Sequence, residues 1–314
     1  MGIRSLKHRY DRLLLLTLYS LACSDSELIA SPVGVTLQAL PAEKIVGGGG
    51  LNLAVYEAGK ADGRPIVFIH GFSGNYLTWE RLFSGPLAAE FRLVAFDLRG
   101  HGASDKPLGT ASYTDPRMWA DDLAAVIQAR QLDRPILVGW SYGGYVIADY
   151  IRKFGDSRIG GTVFLGSSTK NGTQEAAEFL TPEVLALFPD VLAPDVRKSI
   201  EGTRNLTRMF ANPLNGVAWE IAYGSAMMVP PEVRLAMFSR VLDNDDVLAR
   251  IRVPTLAIHG TRDRIVRVSA SRHTVRTVPN AKLLLYDGVG HAAHLETPER
   301  LSRDLAEFIR PIRK

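Results

Sequence analysis

Short runs of apolar, β-branched residues recur along the chain, separated by stretches whose apolar positions fall at helical spacing. This alternation predicts an α/β fold, a mostly parallel sheet covered by helices on both faces. The runs read as strands are residues 51–57, 65–70, 92–96, 135–140, 161–165, 255–259 and 282–286. Ahead of the first, the glycines at 47–50 supply the flexible turn of an opening antiparallel hairpin, so eight strands are expected. Helices are expected from Thr114, from Ser141 and from Thr297. In the last of these Thr297 stands as N-cap and Pro298 takes the first helical position, where a missing N–H costs nothing; Leu301, Leu305, Phe308 and Ile309 then form a stripe to pack on the sheet.

From Ser168 to about Asp246 the strand pattern gives way to helix-like stretches, broken at Pro182, Pro189, Pro194, Pro213 and the Pro230, Pro231 pair. Leu180, Leu185, Leu187, Phe188, Met209, Phe210, Trp219, Met227, Met228 and Phe238 crowd this interval. It reads as a helical insertion lying over the sheet, most of whose apolar residues fill its own small core while a minority face a substrate; Trp219, Met227 and Phe238 are the expected selectors. The organisation expected is therefore a leader at 1–22, a first core segment at 23–168, a helical cap at 169–246 and a second core segment at 247–314.

The leader is set apart by composition. Arg4, Lys7, His8, Arg9 and Arg12 precede an apolar run at 13–22, too short for a membrane-spanning helix of about 20 residues. A basic start, a short apolar stretch and Ser20-Leu21-Ala22 describe a secretory signal and place the expected site of action outside the cytoplasm, periplasmic or secreted. Cys23 directly follows Ala22, where a lipid anchor would attach, although Leu21 and Ser20 depart from a lipoprotein pattern. Membrane contact is expected only through this segment. Over its full length the chain has 46% hydrophobic and 22% charged residues and a net charge of +4 with no long run of like charge, which sets nucleic acid aside as a partner. Its one cysteine excludes an intrachain disulfide, and its seven histidines lack metal-ligand spacing, so neither metal nor cofactor is expected.

The chemistry concentrates at Gly139-Trp140-Ser141-Tyr142-Gly143, between an apolar strand and a helix-compatible stretch. A serine at a sharp strand-to-helix turn needs glycine two places before and after it, because a side chain there would strike the adjoining strand or helix. Upstream, His70-Gly71-Phe72-Ser73-Gly74 ends a strand and opens a loop. The backbone N–H groups of Phe72 and Tyr142 are the natural pair for stabilising an oxyanion, with His70 ordering the loop rather than taking a proton. A serine hydroxyl also needs a base, and the base needs a carboxylate to orient it. Downstream, Asp263 follows the strand at 255–259 and His291 the strand at 282–286, in the order acid then histidine. His294 and Asp287 are the nearer rivals; Asp97, Arg99 and Asp105 read as structural.

Together these motifs resemble the α/β-hydrolase superfamily over roughly residues 43–311. The run Phe96-Asp97-Leu98-Arg99-Gly100-His101-Gly102-Ala103-Ser104-Asp105 is similar to a loop of its esterases, cofactor-free haloperoxidases and epoxide hydrolases, and His291 with Glu296 and Pro298 is similar to its histidine loop. The resemblance implies a carboxylesterase-like serine hydrolase: Ser141 attacks a carbonyl of a small-molecule acyl substrate, His291 moves the proton, Asp263 orients the histidine, and water releases the acid. Ser141 stands where related dehalogenases and epoxide hydrolases carry aspartate, which argues against both. Lactonase, thioesterase, carbon-carbon bond hydrolase, acyltransferase and perhydrolase activities share the mechanism and stay open, as does a ligand receptor on the same fold with slow turnover.

Overall fold

The computed structural model describes residues 40–313; the expected leader and Cys23 lie outside them. An eight-stranded sheet forms the centre. It is built from β1 (Glu43–Val46), β2 (Asn52–Gly59), β3 (Pro65–Ile69), β4 (Arg92–Phe96), β5 (Ile136–Trp140), β6 (Gly161–Leu165), β9 (Thr255–Gly260) and β10 (Lys282–Tyr286). The spatial order is β1-β2-β4-β3-β5-β6-β9-β10, with β2 antiparallel to both neighbours and every later pairing parallel. The remaining strands, β7 (Lys170–Asn171) and β8 (Leu242–Asp243), pair as a separate antiparallel ribbon.

Burial explains which runs become strands. Every residue of β5, β6 and β9 is buried, as helices on both faces require, and their sequences are correspondingly continuous in apolar character. At the edge, β10 alternates, with Lys282 and Leu284 turned outward. The expected hairpin is present: β1 pairs with β2 from Glu43↔Val55 to Val46↔Asn52, and Gly49 and Gly50 turn between them at φ of 72° and 82°.

The helix expected from Thr114 begins at Pro116 and runs to Ala129, because Asp115 takes the capping role and accepts from Arg117 N at 2.9 Å. The helix Gly143–Phe154 is buried through Ile151 and stops at Gly155, whose φ is 72°. In the helix Pro298–Ile309, Leu301, Leu305 and Ile309 are buried as expected. Thr297, however, makes no capping bond to the helix, since its hydroxyl donates backwards to Ala293 O at 3.2 Å.

Between β7 and β8 the chain forms the helices Gln174–Glu178, Pro182–Val191, Val196–Thr207, Gly216–Met227 and Pro231–Phe238. Two of the prolines expected to break helices start them instead: Pro182 and Pro231 occupy first turns, where no N–H is needed. Pro189 also fails to break its helix, which continues to Val191; the carbonyl it leaves unbonded belongs to exposed Leu185. Val184, Val191, Leu206, Val229, Val233 and Met237 form an apolar interior here, whereas Leu185 and Met228, expected to be inside, are exposed. Arg234 is buried among these helices and donates to Val229 O at 3.1 Å, Val191 O at 3.1 Å and Ser199 Oγ at 3.0 Å.

Arg240 ties the end of this insertion to the helix beneath it. Its guanidinium grips both oxygens of Asp149, at 2.8 and 2.6 Å, and donates to Tyr142 Oη at 3.0 Å, with Arg240 and Asp149 both buried. Removing one partner of such a pair strands a buried charge, whereas removing both does not. Arg240→Leu should therefore cost about 3–5 kcal/mol in urea denaturation, and the double substitution Asp149→Leu, Arg240→Leu should recover most of that loss.

Candidate active site

The turn after β5 is steeply constrained. Ser141 holds φ at +52°, a region that costs a non-glycine residue on the order of 1–3 kcal/mol. Glycines make the turn sterically feasible: a Cβ at Gly139 would lie 2.6 Å from the backbone of Gly143, and one at Gly143 would lie 2.3 Å from Ile69 O. Ser141 N donates to Leu165 O at 2.9 Å, and Gly144 N to Ser141 O at 3.0 Å, so the serine backbone is held from both sides. Its hydroxyl makes no hydrogen bond among the described residues and faces an apolar cavity whose wall it shares with His291.

The loop after β3 presses against this turn. A Cβ at Gly71 would meet the Trp140 ring at 2.9 Å and Ser141 Cβ at 3.0 Å, so only glycine lets the loop approach so closely. Phe72 follows directly and lines the same cavity with Tyr142. Neither the Phe72 nor the Tyr142 N–H donates to an acceptor among the described residues, which leaves both free beside the serine.

Two buried histidines brace this loop. His70 Nδ1–H donates to Gly71 O at 2.8 Å and its Nε2 accepts from Leu98 N at 3.0 Å. His101 Nδ1–H donates to Arg99 O at 2.9 Å and its Nε2 accepts from Ser73 N at 3.3 Å. Each ring must stay neutral to accept at Nε2, and burial pushes His70 down to about 4 and His101 well below the usual histidine range. The three residues read as structural act from behind. Asp97 accepts from Tyr76 N at 2.8 Å and Ala103 N at 2.7 Å; Arg99 pairs with buried Asp122 at 2.7 Å; Asp105 accepts from Asn52 N at 2.8 Å.

Asp263 and His291 leave the ends of β9 and β10 and meet. His291 Nδ1 lies 2.7 Å from Asp263 Oδ2, with both side chains almost wholly buried. Asp263 Oδ1 accepts from Ile265 N at 2.8 Å and Val266 N at 2.9 Å. Burial alone would raise this carboxyl, but the electrostatic pull and the bonds of the His291 and His259 rings outweigh it and hold Asp263 far below the usual carboxylate range. Trp140 Nε1 donates to His291 O at 2.9 Å, and Glu296 accepts from Gly290 N at 2.9 Å, so the backbone is held at the histidine and at the residue before it. Gly166, at φ +53°, leaves room over the pair: a Cβ there would sit 3.3 Å from His291 Nδ1.

The rivals stand apart. Asp287 accepts from Thr261 Oγ1 at 3.0 Å. His294 is buried between Trp140 and Trp79, ring centroids 4.6 and 5.2 Å away, and burial pushes it down to about 3. From the insertion, Leu180, Val184, Phe188, Leu206, Phe210 and Phe238 line the cavity over Ser141. Of the expected selectors only Phe238 does so; Trp219, on the helix Gly216–Met227, stacks instead on Tyr223, centroids 5.0 Å apart. Sequence reasoning passes over His101, within Phe96–Asp105, and His259, the last residue of the run at 255–259; the four-residue interval from His259 to Asp263 is the signal for the second. Among the described residues no three His, Cys, Asp or Glu side chains gather for a metal.

A family model described as the alpha/beta hydrolase fold matches residues 64–298. The crystal structure of an esterase from Rhodococcus sp. ECU1013 is 32% identical, with a TM-score of 0.82, covering 87% of this chain and 99% of that one. A non-heme chloroperoxidase from Kitasatospora aureofaciens is 30% identical, over 79% of this chain and 92% of its own. A bifunctional esterase/perhydrolase from Acinetobacter calcoaceticus is 25% identical, over 83% and 97%.

The depressed Asp263 has a consequence for stability. A carboxyl that titrates lower in the folded than in the unfolded state stabilises the fold fully above its unfolded range, near pH 4, and that contribution drains away as pH falls through the folded value. The stability difference between wild type and Asp263→Asn should thus be widest at neutral pH and narrow progressively below about pH 4. Urea denaturation across a pH series measures it, and a difference independent of pH would contradict it.

Proposed function

The chain belongs to the α/β-hydrolase fold family, and from that premise we propose that it is a serine esterase that cleaves small carboxylic esters through an acyl-enzyme. The observation that carries the reading is the 2.7 Å bond to Asp263 made by His291, which lines the same cavity as Ser141. Ser141 Oγ attacks the ester carbonyl while His291 Nε2 takes its proton, and Asp263 holds the ring in the tautomer that leaves Nε2 free to accept. The oxyanion is met by the N–H groups of Phe72 and Tyr142. His291 returns the proton to the leaving alcohol, then activates a water that frees the acid. Hydrogen peroxide in place of that water would give a peracid from the same acyl-enzyme. Esterase and perhydrolase names among the relatives support the class.

The apolar wall supplied by Leu180, Val184, Phe188, Leu206, Phe210 and Phe238 suits an aliphatic or aromatic acyl group. The helical segment between β7 and β8 is accordingly read as a cap that sets the substrate range.

Ser141→Ala should abolish both fluorophosphonate labelling and p-nitrophenyl ester hydrolysis, and His291→Ala should lose nearly as much, because members of one unit do not contribute additively. Asp263→Asn should cost on the order of 10⁴-fold in kcat, whereas Asp287→Asn and Asp105→Asn should keep substantial turnover. Retained wild-type kcat in Asp263→Asn would refute the role of Asp263.

Acyl preference offers a separate check of the cap. Phe188→Ala should shift the kcat/KM optimum toward longer p-nitrophenyl esters by about tenfold between neighbouring chain lengths, Leu180→Phe should shift it toward shorter ones, and Trp219→Ala should leave the profile unchanged.

A further inference from the structure

The mechanism above leaves the fully buried His259 unused. His259, in β9, places Nε2 3.2 Å from Asp263 Oδ2 and 2.8 Å from Val266 O, and Nδ1 2.7 Å from Ser271 Oγ. Both groups facing Nε2 are acceptors with no proton to give, so Nε2 carries the hydrogen. Ser271, itself wholly buried on the helix Val268–Thr277, occupies the other nitrogen.

We infer that His259 is a positioning residue of the catalytic unit: its Nε2–H, held by Ser271 and shared with Val266 O, aims Asp263 Oδ2 at His291 and takes up part of that oxygen's charge. The inference rests on the triad reading proposed above. Its geometry is specific, because the two carboxylate oxygens are served differently. Oδ1 is pinned by two backbone N–H groups, whereas Oδ2 receives two imidazoles, one catalytic and one not. A carboxylate fixed only at Oδ1 can still swing Oδ2 about that anchor, and His259 removes this freedom. His294 and Glu296, in the segment Ala293–Glu296, couple to the pair only through space, and neither bonds to Asp263.

Two substitutions separate this role from simple packing. His259→Leu removes the donor, while His259→Gln sets an amide N–H near the place of Nε2–H. Active sites are counted by fluorophosphonate titration, so that kcat refers to folded enzyme alone. In His259→Leu, kcat should fall on the order of tenfold to a hundredfold with KM little changed, and the acid limb of the kcat/KM profile should move to higher pH, since an Asp263 relieved of one donor holds the protonated His291 more tightly. His259→Gln should restore most of both. Ser271→Ala, milder in volume, should show the same changes in smaller measure, and it serves if His259→Leu does not fold. In the background of Asp263→Asn, His259→Leu should add almost nothing, as expected when one residue acts through another.

Wild-type kcat and an unmoved limb in folded His259→Leu, with Asp263→Asn inactive, would overturn this inference while leaving the triad intact. A loss of kcat that Gln does not restore, with an unmoved limb, would assign His259 to packing and overturn it equally. Full activity in Asp263→Asn would remove the triad reading and this inference together.

Discussion

The contact on which the rest of the structure depends is the approach of the helix Gly143–Phe154 to the end of β3. A single methyl group at Gly143 would stand 2.3 Å from Ile69 O, so the chain can turn out of β5 only with glycine there. That turn forces Ser141 to φ +52° and lifts it above the sheet's carboxyl edge. Because β3 and β5 are neighbours, the loop that begins at His70 emerges beside the serine. The juxtaposition of Ser141 and free backbone N–H groups thus follows from one close packing between adjacent strands. The strain at Ser141 is offset elsewhere, by the continuous burial of β5 and by hydrogen bonds to the serine backbone from both sides.

Around that point the polar groups are arranged in pairs of supports. His70 and His101 hold the loop after β3, and Asp97 and Arg99 hold the segment that carries His101. On the other side Glu296 and Trp140 hold the histidine loop, while His259 stands behind Asp263. Most of these groups are buried and would be costly if left unpartnered. Rigidity at the site therefore comes from satisfied polar contacts under the loops as much as from apolar packing, as preorganised catalysis requires.

The fold and family were legible because they rest on local signals that repeat. β4, β6 and β10 could be bounded to the residue, since each is an apolar run closed by glycine or charge. The ribbon of β7 and β8 was not legible, for two residues carry no periodicity. Thr297 misled because capping depends on backbone geometry that composition does not reveal; Pro189 misled because a proline late in an exposed helix costs only one carbonyl its partner. At the site, Ser141, Asp263 and His291 were marked by their strand-end positions. Trp219 and Met227 lie outside the lining of the cavity, which could not be read from sequence because the direction a helix faces depends on how it is docked. His259 was hidden by its place in a buried strand, where a histidine looks like any satisfied core residue until its neighbours are known.

The ribbon carries a further consequence. Lys170 pairs with Asp243 and Asn171 with Leu242, so the insertion leaves and rejoins the core at a single doorway. The lysine closes that doorway with an ion cluster, its ammonium 2.6 Å from Glu175, 2.7 Å from Asp245 and 3.2 Å from Asp243. Ends held together in this way make the free energy of closing the intervening chain only weakly dependent on its length. The segment is thus anchored at both of its chain ends by the ribbon and its ion cluster, and to the helix beneath it by Arg240 and Asp149. Changes in the length of the intervening helices therefore fall between two fixed ends, and not on the strands that lead to Ser141, Asp263 and His291.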